Sequence, residues 1–278
     1  MTAFRIISMQ PWIDRLVFAT LLACAWPAGA WEPRGHRLVA TASLQSLPRD
    51  LRTWFSGQEA SFVQASLEPD IWKAHDAAEV WRHRIACEAY GGPARLPLLE
   101  AEAKGRLGVF AFEQGGQLPW IIAEHHRQLV AAFKVGEVRR VVAEAGWLCH
   151  YVADAQVPLH TTRDRNGKAT GQKGIHKRWE GDLVNLGVGT LQYPAEAVPP
   201  TDLPTAVRAW IQQSHALIPA LLEADRQAGR EAQGSPEAHA QALWSLQGRQ
   251  VLQQLNHAAE RSGALIVSAW IQAGKPQP

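Results

Sequence analysis

The residues with the clearest chemical pattern are three histidines and two carboxylates spaced for one metal site: His150, Asp154, His160, His176 and Glu180. His150 and Asp154 are four positions apart, as are His176 and Glu180, so each pair would share one face of a helix. Pro158 would end or kink the first helix and place His160 at the turn. Imidazole and carboxylate ligands that converge in this way indicate a zinc site.

Four upstream positions add candidate ligands, namely Trp31 (through its α-amine if it begins the mature chain), His36, Asp70 and His83. Each has an ordinary alternative when taken alone: a surface histidine near a chain end, a helix cap at Asp70, or an exposed basic turn at His83. Nine candidates exceed what one tetrahedral zinc needs but suit two or three ions that share carboxylates. Clustered zinc ions favour phosphate ester hydrolysis, because they activate water and stabilise the leaving oxygen.

The first thirty residues read as a secretory signal peptide. A basic start is followed by an apolar run, Leu16 to Ala25, and by the small-residue site Ala28-Gly29-Ala30. The run is too short to span a bilayer. We therefore predict cleavage after Ala30, a mature domain over 31–278, and a secreted or periplasmic location. An alternative is a lipoprotein, with Cys24 as the lipid-bearing first residue.

The composition and net charge of the chain exclude some classes of protein. The chain is 46% hydrophobic and 19% charged, which is typical of one globular domain. Its formal charge of +2 is too small for a protein that binds by covering phosphates with lysine and arginine. After cleavage, Cys87 and Cys149 would allow one disulfide without requiring it.

The hydrophobic pattern predicts an all-α fold without strands. The segments with helical periodicity are 36–47, 118–134, 137–155, a helix beginning at 175, 203–226 and 236–271. The polar, glycine-containing stretch 161–174 is expected to be a surface loop. In the 118–134 helix, His125 and His126 are expected on the polar side.

The linked motifs resemble a known superfamily. The chain has WxxxxH at the predicted mature end, then an aspartate and a histidine, then HxxxDxxxPxH, written here as HYVADAQVPLH, and finally HxxWE. From Trp31 to about Leu186 this order resembles the zinc-dependent phospholipases C and trinuclear-zinc single-strand nucleases (3′-nucleotidases). The resemblance implies a single multi-helix domain with three zinc ions, one of them held by the chain's N-terminus. That ligand requires cleavage after Ala30 and disfavours lipidation at Cys24.

The resemblance also implies how the ligands are shared. One zinc would be held by Asp70, His83, His150 and Asp154, and a second by His160, His176 and Glu180. The third would take the Trp31 amine and carbonyl, His36 and a bridging oxygen of Asp154. Asp70 would also act as the catalytic group that orients or deprotonates the attacking water.

The sequence does not separate the two branches cleanly. Glu180 as the last ligand, and the spacing of Asp70 and His83, are similar to the phospholipases. The spacing of Trp31 and His36, and the stretch 164–167, are similar to the nucleases. Arg84 stands where those nucleases usually carry an aromatic residue. We interpret the protein as a phospholipase C-like phosphodiesterase acting on phospholipid.

Two alternatives remain open. The first is a nuclease of the same superfamily, acting on single-stranded nucleic acid or nucleotides. The second is a secreted helical protein in which zinc only stabilises the fold, since structural zinc sites are closed and catalytic sites keep an open position. No protein partner is inferred, and the sequence leaves the oligomeric state undefined.

Overall fold

A computed structural model describes residues 31–189, 191 and 196–278, and helices dominate these ranges. The predicted signal peptide and Cys24 lie outside them. The α-helices in chain order are α1 Glu32–Gln45, α2 Arg49–Arg52, α3 Glu59–Ala65, α4 Glu68–Trp72, α5 Glu79–Arg82, α6 Glu100–Leu107, α7 Val109–Gly115, α8 Leu118–Val135, α9 Val138–Asp154, α10 Ile175–Lys177, α11 Leu183–Gly187, α12 Leu203–His215, α13 Ile218–Glu231 and α14 Pro236–Gln272. No β-strand occurs in the described ranges, which confirms the predicted all-α class.

Shorter turns connect these helices. The 3₁₀ segments are Thr53–Phe55, Cys87–Tyr90, Pro93–Arg95 and Pro158–Thr161, and a π-helical turn spans Arg178–Asp182. Three residues separate the end of α9 from Pro158, which begins a 3₁₀ turn, as its missing N–H and the spacing of the motif predict.

Helix α9 lies at the centre of the fold. It packs against α8, α14, α3 and α1, and its last seven residues, 148–154, are all buried. A helix buried on most sides is surrounded by other elements rather than lying on the surface. The polar residues at its end are therefore held inside the core, where they need partners.

Helix α3 approaches α9 closely at Gly146. A Cβ atom there would lie 2.5 Å from the Cβ of Ala65 and 2.8 Å from the carbonyl oxygen of Phe62. Only glycine permits this approach without displacement of α3. The close packing places the end of α3, including Ser66, beside His150.

Three details differ from the sequence predictions. The predicted helix 203–226 is two helices, α12 and α13, because Pro219 lacks the N–H that would continue the first and starts the second. The prediction that His126 lies on a polar face is wrong, since it is 5% exposed and contacts Ser268. In the stretch 161–174, Gly167 and Gln172 are buried, although the backbone is irregular as expected.

Two further expectations concern the membrane and the cysteines. No helix in the described part of the chain combines the length and apolarity needed to cross a bilayer. Cys87 and Cys149 are separate buried thiols and form no disulfide. Burial raises the pKa of the Cys87 thiol to about 12 and that of Cys149 to about 11, so both stay protonated at neutral pH.

Candidate metal centre

The end of α9 and the residue that follows α5 form the first group of candidate ligands. His83 Nδ1 lies 2.8 Å from Asp154 Oδ2 and 3.0 Å from His150 Nε2, and all three side chains are buried. The i,i+4 spacing on α9 brings His150 Nε2 to 3.5 Å from Asp154 Oδ2. These three residues can hold one metal ion together.

Asp70 and His36 border this group. Asp70 Oδ1 lies 3.8 Å from both His83 Nδ1 and His150 Nε2. His36 stacks on His150 with ring centroids 3.9 Å apart, and its Nε2 lies 3.6 Å from Asp154 Oδ1. His36, Asp70 and His150 form a second possible ligand group that shares His150 with the first.

The third group is His160, His176 and Glu180. The Nε2 atoms of His160 and His176 are 2.9 Å apart, and His176 Nδ1 lies 2.8 Å from Glu180 Oε1. A π-helical turn begins between the last two residues, a local irregularity that is frequent at functional sites. His160 Nδ1 lies 3.8 Å from Asp154 Oδ2, so this group adjoins the first.

Trp31 lies beside the same site. Its indole is fully buried, donates a hydrogen bond to the carbonyl oxygen of Ala153 at 2.9 Å, and packs on Trp179 with ring centroids 5.2 Å apart. The indole therefore ties the start of α1 to both the end of α9 and the π-helical turn. Asp154 follows Ala153 on α9, and Glu180 follows Trp179 in the π-helical turn. Asp154 and Glu180 belong to two different ligand groups.

Backbone carbonyls fix the orientation of two of the imidazoles. His150 Nδ1 donates to the carbonyl oxygen of Ser66 at 2.8 Å, and His160 Nδ1 donates to that of His83 at 2.6 Å. Because a carbonyl can only accept, both rings must carry hydrogen on Nδ1. The Nε2 lone pairs are then directed at the ligand groups, as in metal sites where a second interaction selects the tautomer.

The electrostatics of the site favour a bound cation. Four carboxylates converge here, from Asp70, Glu79, Asp154 and Glu180, and the ion pairs of Lys73 and Arg82 engage Asp70 and Glu79. Asp154 Oδ1 is buried without a hydrogen-bond donor. An ionised carboxylate is costly to bury in this state, so a metal ion is a fitting partner.

The pKa directions agree with metal ligation. Burial, followed by the charges of His36 and His83, lowers the pKa of His150 well below its ordinary value. Burial also lowers the pKa of His176. Both rings are therefore neutral and able to bind a metal at neutral pH.

His83 behaves differently from these two rings. Burial and the charge of Lys73 lower its pKa, but Asp154 and Glu79 outweigh them and the net direction is upward. Its two carboxylate neighbours thus favour a positive charge at this position. A bound cation would supply such a positive charge.

Glu79 and Lys73 belong to the site although the sequence did not single them out. Glu79 is fully buried; its Oε1 lies 3.1 Å from His83 Nε2 and accepts a short hydrogen bond from Tyr151, while Arg82 donates to Oε2 at 2.7 Å. Lys73 Nζ lies 2.5 Å from Asp70 Oδ1. The only sequence signals were the i,i+4 spacing of Glu79 and His83 and the i,i+3 spacing of Asp70 and Lys73.

An ion pair between the partly buried Arg178 and the buried Asp225 fixes the segment that carries the third ligand group. Arg178, between His176 and Glu180, donates to Asp225 on α13 through Nε at 2.7 Å and a terminal nitrogen at 2.8 Å. Asp225 is 2% exposed and also accepts from Gln172 at 2.9 Å. The paired guanidinium and carboxylate therefore hold the π-helical turn against the C-terminal helices.

The structure thus gathers eight of the nine predicted ligands by their side chains: His36, Asp70, His83, His150, Asp154, His160, His176 and Glu180. It places Trp31 next to them through its indole. Buried groups that could hold a metal ion are therefore present. A comparison with protein-family models found no match for the chain, and a search of curated proteins found none either.

Proposed function

We propose that this protein is a secreted zinc-dependent phosphoric ester hydrolase of the phospholipase C and single-strand nuclease type. The observation that carries the proposal is the continuity of the ligand groups. Two groups share His150, and the third adjoins them through Asp154 and His160. A single structural zinc requires four ligands, whereas this cluster offers enough for several ions with a shared carboxylate.

The ligands would be divided as the sequence resemblance implies. Asp70, His83, His150 and Asp154 would hold one zinc, and His160, His176 and Glu180 another. His36, with the Trp31 amine and an oxygen of Asp154, would hold the third. When bound, the ions would supply Lewis-acid activation of the phosphoryl group and of water.

Asp70 and Lys73 are the residues suited to act on the substrate. Their side chains are 14% and 12% exposed, whereas the side chains of His83, His150 and Asp154 are fully buried. This partial exposure supports Asp70 as the group that would accept a proton from the attacking water. Lys73 orients this carboxylate and brings a positive charge that can bind a phosphoryl oxygen.

The partial exposure of Asp70 and Lys73 also favours this proposal over a purely structural zinc site. A structural site is closed by its ligands and presents no side chain to a substrate. The phospholipase C-like activity is our first expectation for the substrate, and single-strand nuclease or 3′-nucleotidase activity is the alternative. Both reactions use the same displacement at phosphorus.

The proposal is tested with phosphatidylcholine, single-stranded DNA and RNA, and a 3′-nucleotide, each with zinc present and after chelation. We expect hydrolysis of at least one substrate that chelation abolishes. Asp154→Asn should lower activity at least about 100-fold and reduce bound zinc, because one ligand serves adjoining groups. Asp202→Asn, at the exposed cap of α12, is the matched control and should keep full activity.

The outcomes distinguish the alternatives. Lipid hydrolysis alone identifies the phospholipase branch, and nucleic-acid or nucleotide hydrolysis alone identifies the nuclease branch. A protein that binds zinc in these groups but hydrolyses none of the substrates would instead be a structural zinc protein. Full activity in Asp154→Asn would contradict the shared-ligand arrangement.

A further inference from the structure

A groove of about 480 Å³ lies beside the segment that carries His83. Trp81, Arg84, Leu107, Gln114 and Arg163 are among the residues that line it. Its position is fixed by the backbone: the N–H of Ile85 donates to the carbonyl oxygen of His160 at 2.8 Å. The groove therefore lies next to two of the candidate metal-binding segments, those that carry His83 and His160.

The opposite side of this segment is held by the turn between α7 and α8. The carbonyl oxygen of Arg84 accepts from the N–H of Leu118 at 3.1 Å. Gly116 makes this possible, since its φ is +95° and a Cβ would lie 2.2 Å from that same oxygen. Arg84 is therefore presented from a rigid backbone and not from a mobile loop.

The positively charged guanidinium of Arg84 is available to bind an anion in the groove. It stacks on the ring of Trp81 at 4.4 Å from the centroid, and its Nε is buried without a hydrogen-bond partner. Within the described ranges no carboxylate forms an ion pair with it.

Two further arginines extend the positive charge toward the third ligand group. Arg163 lines the groove. Arg165 acts electrostatically on both Arg84 and His176, so its positive charge influences the groove as well as the third ligand group. The neighbouring acid, Glu88, is already engaged by the hydroxyl of Thr162 and the N–H of Arg163.

We propose that this groove binds a second phosphate group of the substrate, separate from the one that is hydrolysed, with Arg84 as its main ligand. A stacked guanidinium with unused donors matches the tetrahedral oxygens of a phosphate. Arg163 and Arg165 add long-range attraction. The inference rests on the proposed phosphoric ester hydrolysis, because that reaction places the first phosphate at the metal centre.

Binding of paired probes to the zinc-loaded full-length mature chain tests the inference by calorimetry. One pair is adenosine 3′,5′-bisphosphate and adenosine 3′-monophosphate; the other is glycerol 1,3-bisphosphate and glycerol 1-phosphate. We expect each bisphosphate to bind at least about tenfold more tightly than its monophosphate, as a charge-assisted contact predicts. An affinity gain that occurs only in the adenosine pair would indicate that the second phosphate belongs to a nucleotide. A gain that also occurs in the glycerol pair would indicate that lipid headgroups can supply it.

Arg84→Gln should remove the advantage of the bisphosphate and leave monophosphate affinity within about twofold. Arg84→Lys keeps the charge but lacks the planar donors, so an intermediate loss is expected. Arg49→Gln, at an exposed position on α2, is the charge-matched control and should change neither affinity. Circular dichroism confirms that each variant keeps its helical content.

Two results would overturn the inference: bisphosphate affinity in Arg84→Gln equal to that of the wild type, or an equal loss for both members of a pair. A separate readout reports on the proposed function. Hydrolysis of bis(p-nitrophenyl) phosphate by the wild type is that readout, because this ester has no second phosphate to occupy the groove. If the wild type hydrolyses neither this ester nor any natural substrate, the hydrolase proposal fails while the binding comparison keeps its own result.

Discussion

His83 Nε2 lies 3.1 Å from Glu79 Oε1, on the side of the ring opposite the nitrogen that contacts Asp154. A candidate metal ligand is therefore held between two buried carboxylates. Tyr151 and Arg82 donate to Glu79, so the outer carboxylate is itself fixed. Such an arrangement orients a ligating imidazole and increases its basicity.

Glu79→Gln should lower zinc affinity at the His83 group by about 10- to 100-fold, because the ring loses the carboxylate that orients it. The measurement is competition with a chromophoric chelator, with helical content followed by circular dichroism. Glu144→Gln is the matched control, since Glu144 is also a buried carboxylate but contacts His125, outside the ligand groups. Equal zinc affinity in wild type and Glu79→Gln would show that Glu79 has no part in metal binding.

Asp225→Asn should destabilise the fold by about 3 to 5 kcal/mol, because it leaves the charge of Arg178 without its partner in a largely buried position. Urea denaturation measures this change. Zinc binding at His176 and Glu180 should weaken as well, since Arg178 lies between them.

The exposed pair of Lys177 and Asp182 provides the control for this variant, because it lies in the same segment. Asp182→Asn should change stability by less than about 1 kcal/mol, as is usual for surface ion pairs. If both variants unfolded at the same urea concentration as the wild type, the ion pair of Arg178 and Asp225 would not stabilise the fold.

Stability should fall in mildly acidic solution because of His126. Burial lowers the pKa of this histidine to about 4, below its ordinary value of about 6.5. Between about pH 4 and about pH 6.5 the unfolded chain binds more protons than the folded one. The free energy of unfolding therefore rises with pH in this interval and reaches its full value above about pH 6.5. The full effect is about 3 kcal/mol, lost as pH falls toward 4.

This contribution is measured as the difference in unfolding free energy between wild type and His126→Gln across that pH interval. The variant should show a flatter dependence, since it lacks the titrating ring. His75→Gln, at an exposed site, should retain the wild-type slope. A His126→Gln profile parallel to that of the wild type would contradict the assignment.

Export and metal binding should be linked through Trp31. We expect mass spectrometry of the exported protein to find Trp31 as the first residue. A mature chain with one alanine added before Trp31 should bind one zinc fewer, because its amine moves out of reach. Trp31 has φ +38°, a left-handed value uncommon for a bulky residue, and a chain beginning there is released from that constraint.

The control is a chain with one alanine added after Pro278, which should bind the same number of zinc ions as the unmodified mature chain. A lipid-modified Cys24 in the exported protein would contradict the role of the Trp31 amine. Equal zinc content in the two extended chains would do so as well.

Several features followed from the sequence because they depend on short-range geometry. The i,i+4 spacing of His150 and Asp154 on one helix determines their proximity, whatever surrounds them. Pro158 ended that helix for a local reason as well, its missing N–H. The all-α class followed from the 3.6-residue hydrophobic period in the same way.

Other features depended on how distant segments pack. The burial of His126 required α14, whose Ser268 it contacts, and α14 is far away in the chain. The separation of α12 from α13 was signalled by Pro219, but a continuous apolar pattern concealed it. The partnership of Arg178 with Asp225 left no spacing signal, because the two lie on different elements.

The sequence by itself therefore determined which residues could bind metal, and in which local pairs. Only the tertiary structure decided that the pairs meet, that His36 stacks on His150, and that Glu79 stands behind His83. The physical reason is that helix periodicity acts over a few residues, whereas the convergence of α1, α5 and α9 depends on burial of apolar surface over the whole core.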